Sequence, residues 1–253
     1  MNRIDFTDKV VIITGASSGI GADTARDLAK YGAKLSLVGR NKERLNKVAQ
    51  ECYAINCLAP YWLSLDLTQP NMCDHVVSKT IECYGKIDVL INCAGGVKLT
   101  SVFEQSMEVF DAMMAINLRV PYLLTQLVLP HLLKTKGNIV NVGSSLSTRH
   151  REGFLPYILS KSALQKFTEH AAAEVAPEGV RVNCINPGVT RTNILRNLGI
   201  EDQSRSLVHD VREENSKIIE PKEVAALICL TASGIFPNLN GSGINLDGAL
   251  SLS

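Results

Sequence analysis

Tyr157 and Lys161 stand four residues apart in a stretch of helical periodicity, a spacing that puts a phenol and an ammonium on one helix face within reach of each other. A surface tyrosine–lysine pair is common and means little alone. It gains weight from Ser144, which closes the strand-like run Asn141-Val-Gly-Ser-Ser145 and so falls at a strand end. A phenol with a pKa near ~10 is a poor acid–base group at neutral pH, but a nearby cation stabilises the phenolate and makes it usable.

A second set of residues suits a nucleotide. Thr14-Gly-Ala-Ser-Ser-Gly-Ile-Gly21 follows a predicted strand and opens a predicted helix. Gly15 allows the tight turn, Gly19 admits a diphosphate close to the backbone, and Gly21 lets helix and strand pack. Ser17, Ser18 and Ile20 complete the candidate phosphate cradle. An acidic residue for the ribose hydroxyls is expected at the end of the next strand, about 20 residues on. Gly39 and Arg40 stand there instead. A carboxylate there would repel a 2′-phosphate, whereas a guanidinium accepts one through charge-assisted bonds, so NADP(H) is favoured over NAD. Taken alone, Arg40 reads as a solvated residue opening the next helix beside Lys42 and Arg44. Asp66, followed by Leu67, ends the third strand and suits either an adenine amine or a cap on the following turn. Asn92-Cys-Ala94-Gly95 ends the fourth.

These strand ends belong to an alternating series. Strands are predicted at Val10–Ile13, Lys34–Val38, Tyr61–Leu65, Ile87–Ile91, Asn138–Val142, Val180–Ile185 and Gly243–Leu246. Helices separate them near Ile20–Tyr31, Lys42–Tyr53, Met72–Tyr84, Glu108–Leu133, Pro156–Val175 and after Pro221. Right-handed crossovers then place helices on both faces of a mainly parallel sheet, a doubly wound α/β fold. Nothing breaks the composition, so residues 1–253 read as one domain. The polar, weakly periodic stretch within about 190–217 reads as a substrate lid.

Composition narrows the partners. The 253 residues carry 26 Lys+Arg against 25 Asp+Glu, a net charge of +1 that lacks the basic excess typical of nucleic-acid or anionic-membrane binding. The 7 cysteines are scattered, without a CxxC pair or a zinc spacing, and read as reduced thiols, with no metal site. No targeting segment is visible, and the apolar stretch Val120–Leu133 falls short of the ~18 residues of a membrane span. The expectation is a cytoplasmic protein with a small-molecule ligand.

In order along the chain, Thr14–Gly21, Asn92–Gly95, Asn117 in Ala115-Ile-Asn-Leu118, Ser144, Tyr157-x-x-x-Lys161 and Asn186-Pro-Gly188 resemble the motifs of the short-chain dehydrogenase/reductase family. The resemblance covers essentially the whole chain, ending with Asn240–Gly248. It implies a single-domain Rossmann oxidoreductase in which Ser144 bonds the carbonyl or alcohol oxygen and Tyr157 exchanges the proton. Lys161 would lower the tyrosine pKa and hold the nicotinamide ribose, and Asn117 would hold a water in a proton relay. Pro187, Gly188, Val189 and Thr190 would pass the carboxamide, and Thr192 would reach the cofactor phosphates. A tetramer or dimer through the Glu108–Leu133 and catalytic helices is also implied, with Ala163, Phe167 and Ala171 toward a partner subunit. Three positions depart from the pattern. Cys93 replaces the second Asn of Asn-Asn-Ala-Gly, Gly143 stands where a Ser often precedes the catalytic one, and Ser18 replaces a cation found in some NADP-using relatives.

The expected activity is NADP(H)-dependent carbonyl reduction. The substrate classes open are 3-oxoacyl thioesters, steroids and other lipophilic ketones, sugars or polyols, and xenobiotic carbonyls. Alternatives are an NAD-dependent alcohol or polyol dehydrogenase, or a non-catalytic NADP-binding sensor or scaffold. Substrate walls are expected from Gly96, Val97 and Lys98, from the lid, and from the stretch holding Arg149, His150, Arg151, Phe154 and Leu155. The three basic residues there either meet an acidic substrate or point to solvent.

Overall fold

The computed structural model of the chain describes residues 4–192 and 218–252. Seven strands run as β1 (Val10–Thr14), β2 (Lys34–Gly39), β3 (Tyr61–Ser64), β4 (Val89–Asn92), β5 (Asn138–Val142), β6 (Arg181–Pro187) and β7 (Gly243–Leu246). They form one sheet in the order β3-β2-β1-β4-β5-β6-β7, every neighbouring pair parallel. The helices are α1 (Gly19–Lys30), α2 (Lys42–Asn56), α3 (Met72–Tyr84), α4 (Glu108–Met114), α5 (Val120–Thr135), α6 (Leu155–Val175) and α7 (Pro221–Ala232).

Burial on both faces explains why β1 and β4 are apolar almost throughout, successive side chains pointing to opposite core layers. Val11 and Ile13 face one core layer with Ala22, Ala25, Leu28 and Leu45 of α1 and α2 and Val224 and Ile228 of α7. Ile12, between them, faces the other layer with Val76 of α3 and Leu124, Val128 and Leu132 of α5. β1 sits between β2 and β4, so the chain order reverses there and the crossovers leave on opposite faces. The carboxyl ends of β1 and β4 thereby border a crevice, the position at which open α/β sheets take ligands.

The helix expected over Glu108–Leu133 is interrupted. Ala115–Arg119 forms a π turn in which the Val120 N–H bonds the Ala115 carbonyl. Pro121, in the first turn of α5, has no N–H to give to the Asn117 carbonyl four residues back. The helical run is also longer than the apolar stretch read from sequence. Glu108–Thr135 spans 28 residues, and its most apolar 18-residue stretch has a mean hydropathy of 1.3, enough by length and composition to cross a membrane. Val120, Leu124, Val128 and Leu132 of this run are buried against the sheet, which is why it is apolar.

The expected lid lies, from residue 193 onward, outside the described residues. Its flanks meet: Thr190 bridges Ile219, the Arg191 N–H bonds the Ile219 carbonyl at 2.9 Å, and the Arg191 guanidinium pairs with Glu220 at 2.8 Å.

Candidate active site

A cavity of about 600 Å³ runs along the carboxyl ends of the strands, from the β1–α1 turn to Tyr157. Of the catalytic and cofactor-binding residues singled out in the sequence, all but Asn92 and Asn117 lie on its wall.

At the β1–α1 turn, Gly15 has φ +70°, and a Cβ there would stand 2.9 Å from the backbone of Ala94, so only glycine lets the two strand-end loops touch. Thr14 locks the same contact, its hydroxyl oxygen accepting from the Cys93 and Ala94 N–H groups at 3.0 Å each. The Ser18 side chain makes no cap bond to α1 and no acidic residue sits in the first turn. By contrast, Asn41 caps α2 through the Arg44 N–H at 2.8 Å, and Glu220 with Glu223 forms a capping box on α7. The start of α1 thus keeps its orphan N–H groups and positive dipole end for an anion, which fits a diphosphate. Thr192 stands over this turn, its methyl 3.0 Å from where a Cβ on Gly19 would be.

At the end of β2, Gly39 opens the wall, since a Cβ there would press on Ser17 at 3.0 Å. Arg40, Asn41 and Arg44 line this part of the cavity, and both arginines are exposed. Arg44 and Asn41 were not singled out as site residues. The available signal was the helix beginning at Lys42, whose first turn carries Arg44 back to the strand end that bears Arg40. Asp66 is the one carboxylate on the wall among the described residues. Its Oδ1 accepts from the Thr68 N–H at 2.9 Å and hydroxyl at 2.7 Å, so it makes the turn-capping bonds while also lining the cavity. Burial opposes its ionisation, but the Thr68 bonds and the Arg40 charge outweigh it and hold the carboxyl below its ordinary range.

At the other end, α6 presents Tyr157 and Lys161, and Ser144 begins the turn after β5. Lys161 is buried, with Nζ donating to the Val142 carbonyl at 2.7 Å and lying 6.0 Å from the Tyr157 ring centre. Burial pushes its pKa down to about 8. Lys161 was expected to lower the Tyr157 pKa. Here burial pushes the phenol up, and the hydrogen bond with Ser144 opposes the rise. The Lys161 ammonium donates to a backbone carbonyl and lies over the ring.

Asn117 lies behind the wall, fully buried in the π turn. Its Oδ1 accepts from the Gly96 N–H at 3.0 Å, and its Nδ2 donates to the Gly96 carbonyl at 2.9 Å and the Ser160 hydroxyl at 3.1 Å. The side chain is therefore committed to the loop after β4, whereas Pro121 leaves the backbone carbonyl of this residue without an α-helical donor. Gly95 separates Asn117 from Lys161, a Cβ there standing 3.1 Å from Asn117 Oδ1 and 3.5 Å from Lys161 Nζ. Asn92 is also withdrawn from the cavity. Its Nδ2 donates to Asn141 Oδ1 at 2.9 Å, and Asn141 donates onward to the Thr168 hydroxyl at 2.9 Å, so it ties β4 to β5 and α6. Gly143 has a packing reason too: a Cβ there would collide with Asn186 Oδ1, which also accepts from the Cys184 thiol at 3.3 Å.

Val97, Arg151 and Phe154 line the substrate side, whereas Gly96, Lys98, Arg149, His150 and Leu155 do not. Leu250 joins them from the chain end, brought there by Asp247, whose carboxylate accepts from the Ala249 and Ser251 N–H groups. No local pattern in the sequence marked it.

Comparison with known proteins agrees with this geometry. Residues 9–203 match the family model for short chain dehydrogenase. The chain is 32% identical over 244 residues to the 3-oxoacyl-[acyl-carrier-protein] reductase FabG of Thermotoga maritima, covering 96% of this chain and 97% of that one. It is 32% identical over 248 residues to meso-2,3-butanediol dehydrogenase of Serratia marcescens, covering 98% and 96%. Among solved structures, a short-chain dehydrogenase/reductase of unknown function from Caenorhabditis elegans superposes with a TM-score of 0.91 at 31% identity, covering 98% of this chain and 96% of that one. Levodione reductase superposes with a TM-score of 0.87 at 27% identity, covering 98% and 99%. The chain belongs to the short-chain dehydrogenase/reductase family, oxidoreductases that act on alcohol and ketone groups with a nicotinamide cofactor.

Proposed function

We propose that this protein is an NADP(H)-dependent carbonyl reductase working through Ser144, Tyr157 and Lys161. The carrying observation is one cavity that joins the Ser144–Tyr157 pair to two guanidinium groups, Arg40 and Arg44, beside a glycine at the end of β2. Two cations where an acid would favour an unphosphorylated ribose support NADP(H). A cofactor held reduced in the cell supports the reducing direction. Relatives named as a 3-oxoacyl reductase and a levodione reductase agree with that direction.

The nicotinamide, when bound, supplies the hydride that reaches the carbonyl carbon. Ser144 holds the carbonyl oxygen by its hydroxyl, and Tyr157 delivers the phenolic proton to that oxygen as the hydride arrives. The phenolate left behind would be stabilised by the Lys161 ammonium, whose Nζ lies 6.0 Å from the Tyr157 ring centre. A water on the Asn117 carbonyl then returns a proton from solvent. The seven free thiols support a reducing, cytoplasm-like compartment. The half-exposed Tyr122 and Leu159 on α5 and α6 support assembly as a tetramer or dimer through those helices.

The test is fluorescence titration with NADPH and NADH, followed by 340-nm absorbance with a panel of ketones. NADPH binding at least about tenfold tighter, with turnover, sustains the proposal. Tighter NADH binding overturns the cofactor assignment, and tight binding without turnover of any ketone favours a sensor.

A further inference from the structure

Around Ser144 and Tyr157 the cavity is walled by Val97, Leu146, Phe154, Val189 and Leu250. Arg151 stands at the same wall, its guanidinium carbon 5.7 Å from the Phe154 ring centre, and is already partnered within the chain. The other apolar residues follow strands or open α6, whereas Leu250 belongs to the short helical turn Leu250–Leu252 at the chain end. That turn is tied at successive residues. The buried Asp247 carboxylate accepts from the Ala249 N–H at 3.1 Å and the Ser251 N–H at 2.8 Å, and the Asp247 carbonyl accepts from the Leu250 N–H at 3.2 Å. Asn245 adds a bond to the Ser251 hydroxyl at 3.1 Å. Asp247 is itself seated against the end of β6, where a Cβ on Gly188 would stand 2.8 Å from its Cα.

The turn packs against Ser145–Thr148, the turn that Ser144 opens, and Leu250 is buried there. Ala249 carries the cost: at φ +70° it lies in the left-handed region, which a residue with a Cβ adopts where its surroundings impose it. Such strain gathers where it fixes a functional contact, and the contact fixed here is Leu250 on the wall. We propose that Leu250 sets the size of the substituent accepted on the carbonyl carbon, and that Asp247 is the positioning residue that holds it there. This rests on the reading of the cavity as a carbonyl–alcohol site. The matching substrate is an uncharged ketone with apolar substituents, limited in bulk by Leu250. An apolar pocket discriminates by volume, one surplus methylene costing about 10- to 200-fold. Neither residue takes part in hydride or proton transfer.

The test compares acetophenone with benzophenone, in which a second phenyl replaces the methyl, using NADPH and wild type, Leu250→Ala, Leu250→Met, Asp247→Ala, Asp247→Asn and Leu58→Ala. In Leu250→Ala the benzophenone-to-acetophenone ratio of kcat/KM rises about 10- to 100-fold. Leu250→Met, of similar volume, and Leu58→Ala, exposed and off the cavity wall, hold it within about twofold. Asp247→Ala raises the ratio with Leu250 intact, and Asp247→Asn, which keeps one acceptor oxygen, restores part of it. A lowered Tm with an unchanged ratio in Asp247→Ala overturns the positioning role, and an unchanged ratio in Leu250→Ala overturns the proposal. A second arm needs no turnover: benzhydrol is titrated calorimetrically into the protein with and without NADP. Binding by Leu250→Ala at least about tenfold tighter than by wild type supports the assignment. Equal affinity, or binding by neither, overturns it. Failure of NADPH to bind sinks the parent reading separately, while the titration without NADP still decides the role of Leu250. The Leu250 variants decide even where Asp247→Ala does not fold.

Discussion

At the Tyr157 end of the cavity the polar side chains are buried and bonded to one another, whereas at the Arg40 end they stand on an exposed rim. Lys161 and Ser144 are 5% and 6% exposed, and the Asn117–Gly96 and Asn92–Asn141–Thr168 bonds hold their surroundings. Arg40 and Arg44 sit on the first residues after β2 and make their contribution by charge and by the absence of a side chain at Gly39. The first end fixes geometry, which proton transfer needs to within a fraction of an ångström. The second end supplies field, which tolerates motion and acts through affinity. Substitutions at the two ends should therefore fail in different ways.

The largest expected effect is at the buried end. Tyr157→Phe removes the proton donor and keeps the ring against Phe154. We expect kcat to fall by about 10²–10⁴, the usual worth of a general acid, with the NADPH dissociation constant moving less than about threefold. Stopped-flow turnover and fluorescence titration on the same samples check both. A parallel loss of cofactor affinity would break the division between the ends.

At the rim the expected order reverses. The Arg40→Gln/Arg44→Gln double substitution should weaken NADPH by about 10- to 100-fold and leave NADH within about twofold, since each guanidinium contributes a charge-assisted bond that only the phosphorylated cofactor can use. The effect should shrink as salt is raised, because exposed charges are screened. Each arginine replaced singly apportions the field between them.

What sequence reading recovers follows the same division. The glycine turn, Ser144, Tyr157 and Lys161 were legible because strict spacing on alternating elements leaves few ways to fold them. That helices cover both faces of a parallel sheet follows from crossover handedness, whereas the strand order came only with the structure. Arg44 was not legible as a site residue, because a charge on a helix's first turn looks the same whether it faces solvent or a cavity. The π turn at Ala115–Arg119 was hidden because its cause, a proline at 121 and an asparagine bonding Gly96, is a tertiary contact inside an apolar periodic run. Leu250 depended on Asp247 folding the chain end back, a bond no local pattern announces.

Lys161 sharpens the comparison through stability. Its pKa in the folded chain, about 8, lies below its ordinary 10.5 because burial penalises the ammonium. Between those values the unfolded chain binds more protons than the folded one, so the stability of the cofactor-free protein rises with pH through that window. Below about pH 8 the penalty is fully present. Lys161→Met removes it at the cost of one bond to Val142, a net gain of roughly 1–2 kcal/mol. Thermal unfolding at pH 7 should shift up by a few degrees while turnover is lost, and the pH slope between 8 and 10 should flatten. A Tm that falls would mean that the Val142 bond outweighs the desolvation.

The smallest effect is expected at Cys93, where the chain departs from its family yet sits on the wall beside Lys161. Burial pushes the thiol up to about 12, so at neutral pH it carries no charge to act on Lys161. The contribution of this position to the site comes from its backbone, whose N–H bonds Thr14 at 3.0 Å, and that bond survives any side chain of similar size. Cys93→Ala should accordingly leave kcat and NADPH affinity within about twofold, the spread of a substitution that removes one small neutral group. Thr14→Val, which deletes the acceptor for both the Cys93 and Ala94 N–H groups, should weaken both cofactors alike, since each leans on the same turn. If Cys93→Ala instead lowers kcat by an order of magnitude with affinity unchanged, the thiol must be tuning Lys161. The buried end would then owe part of its chemistry to a side chain that its family pattern lacks.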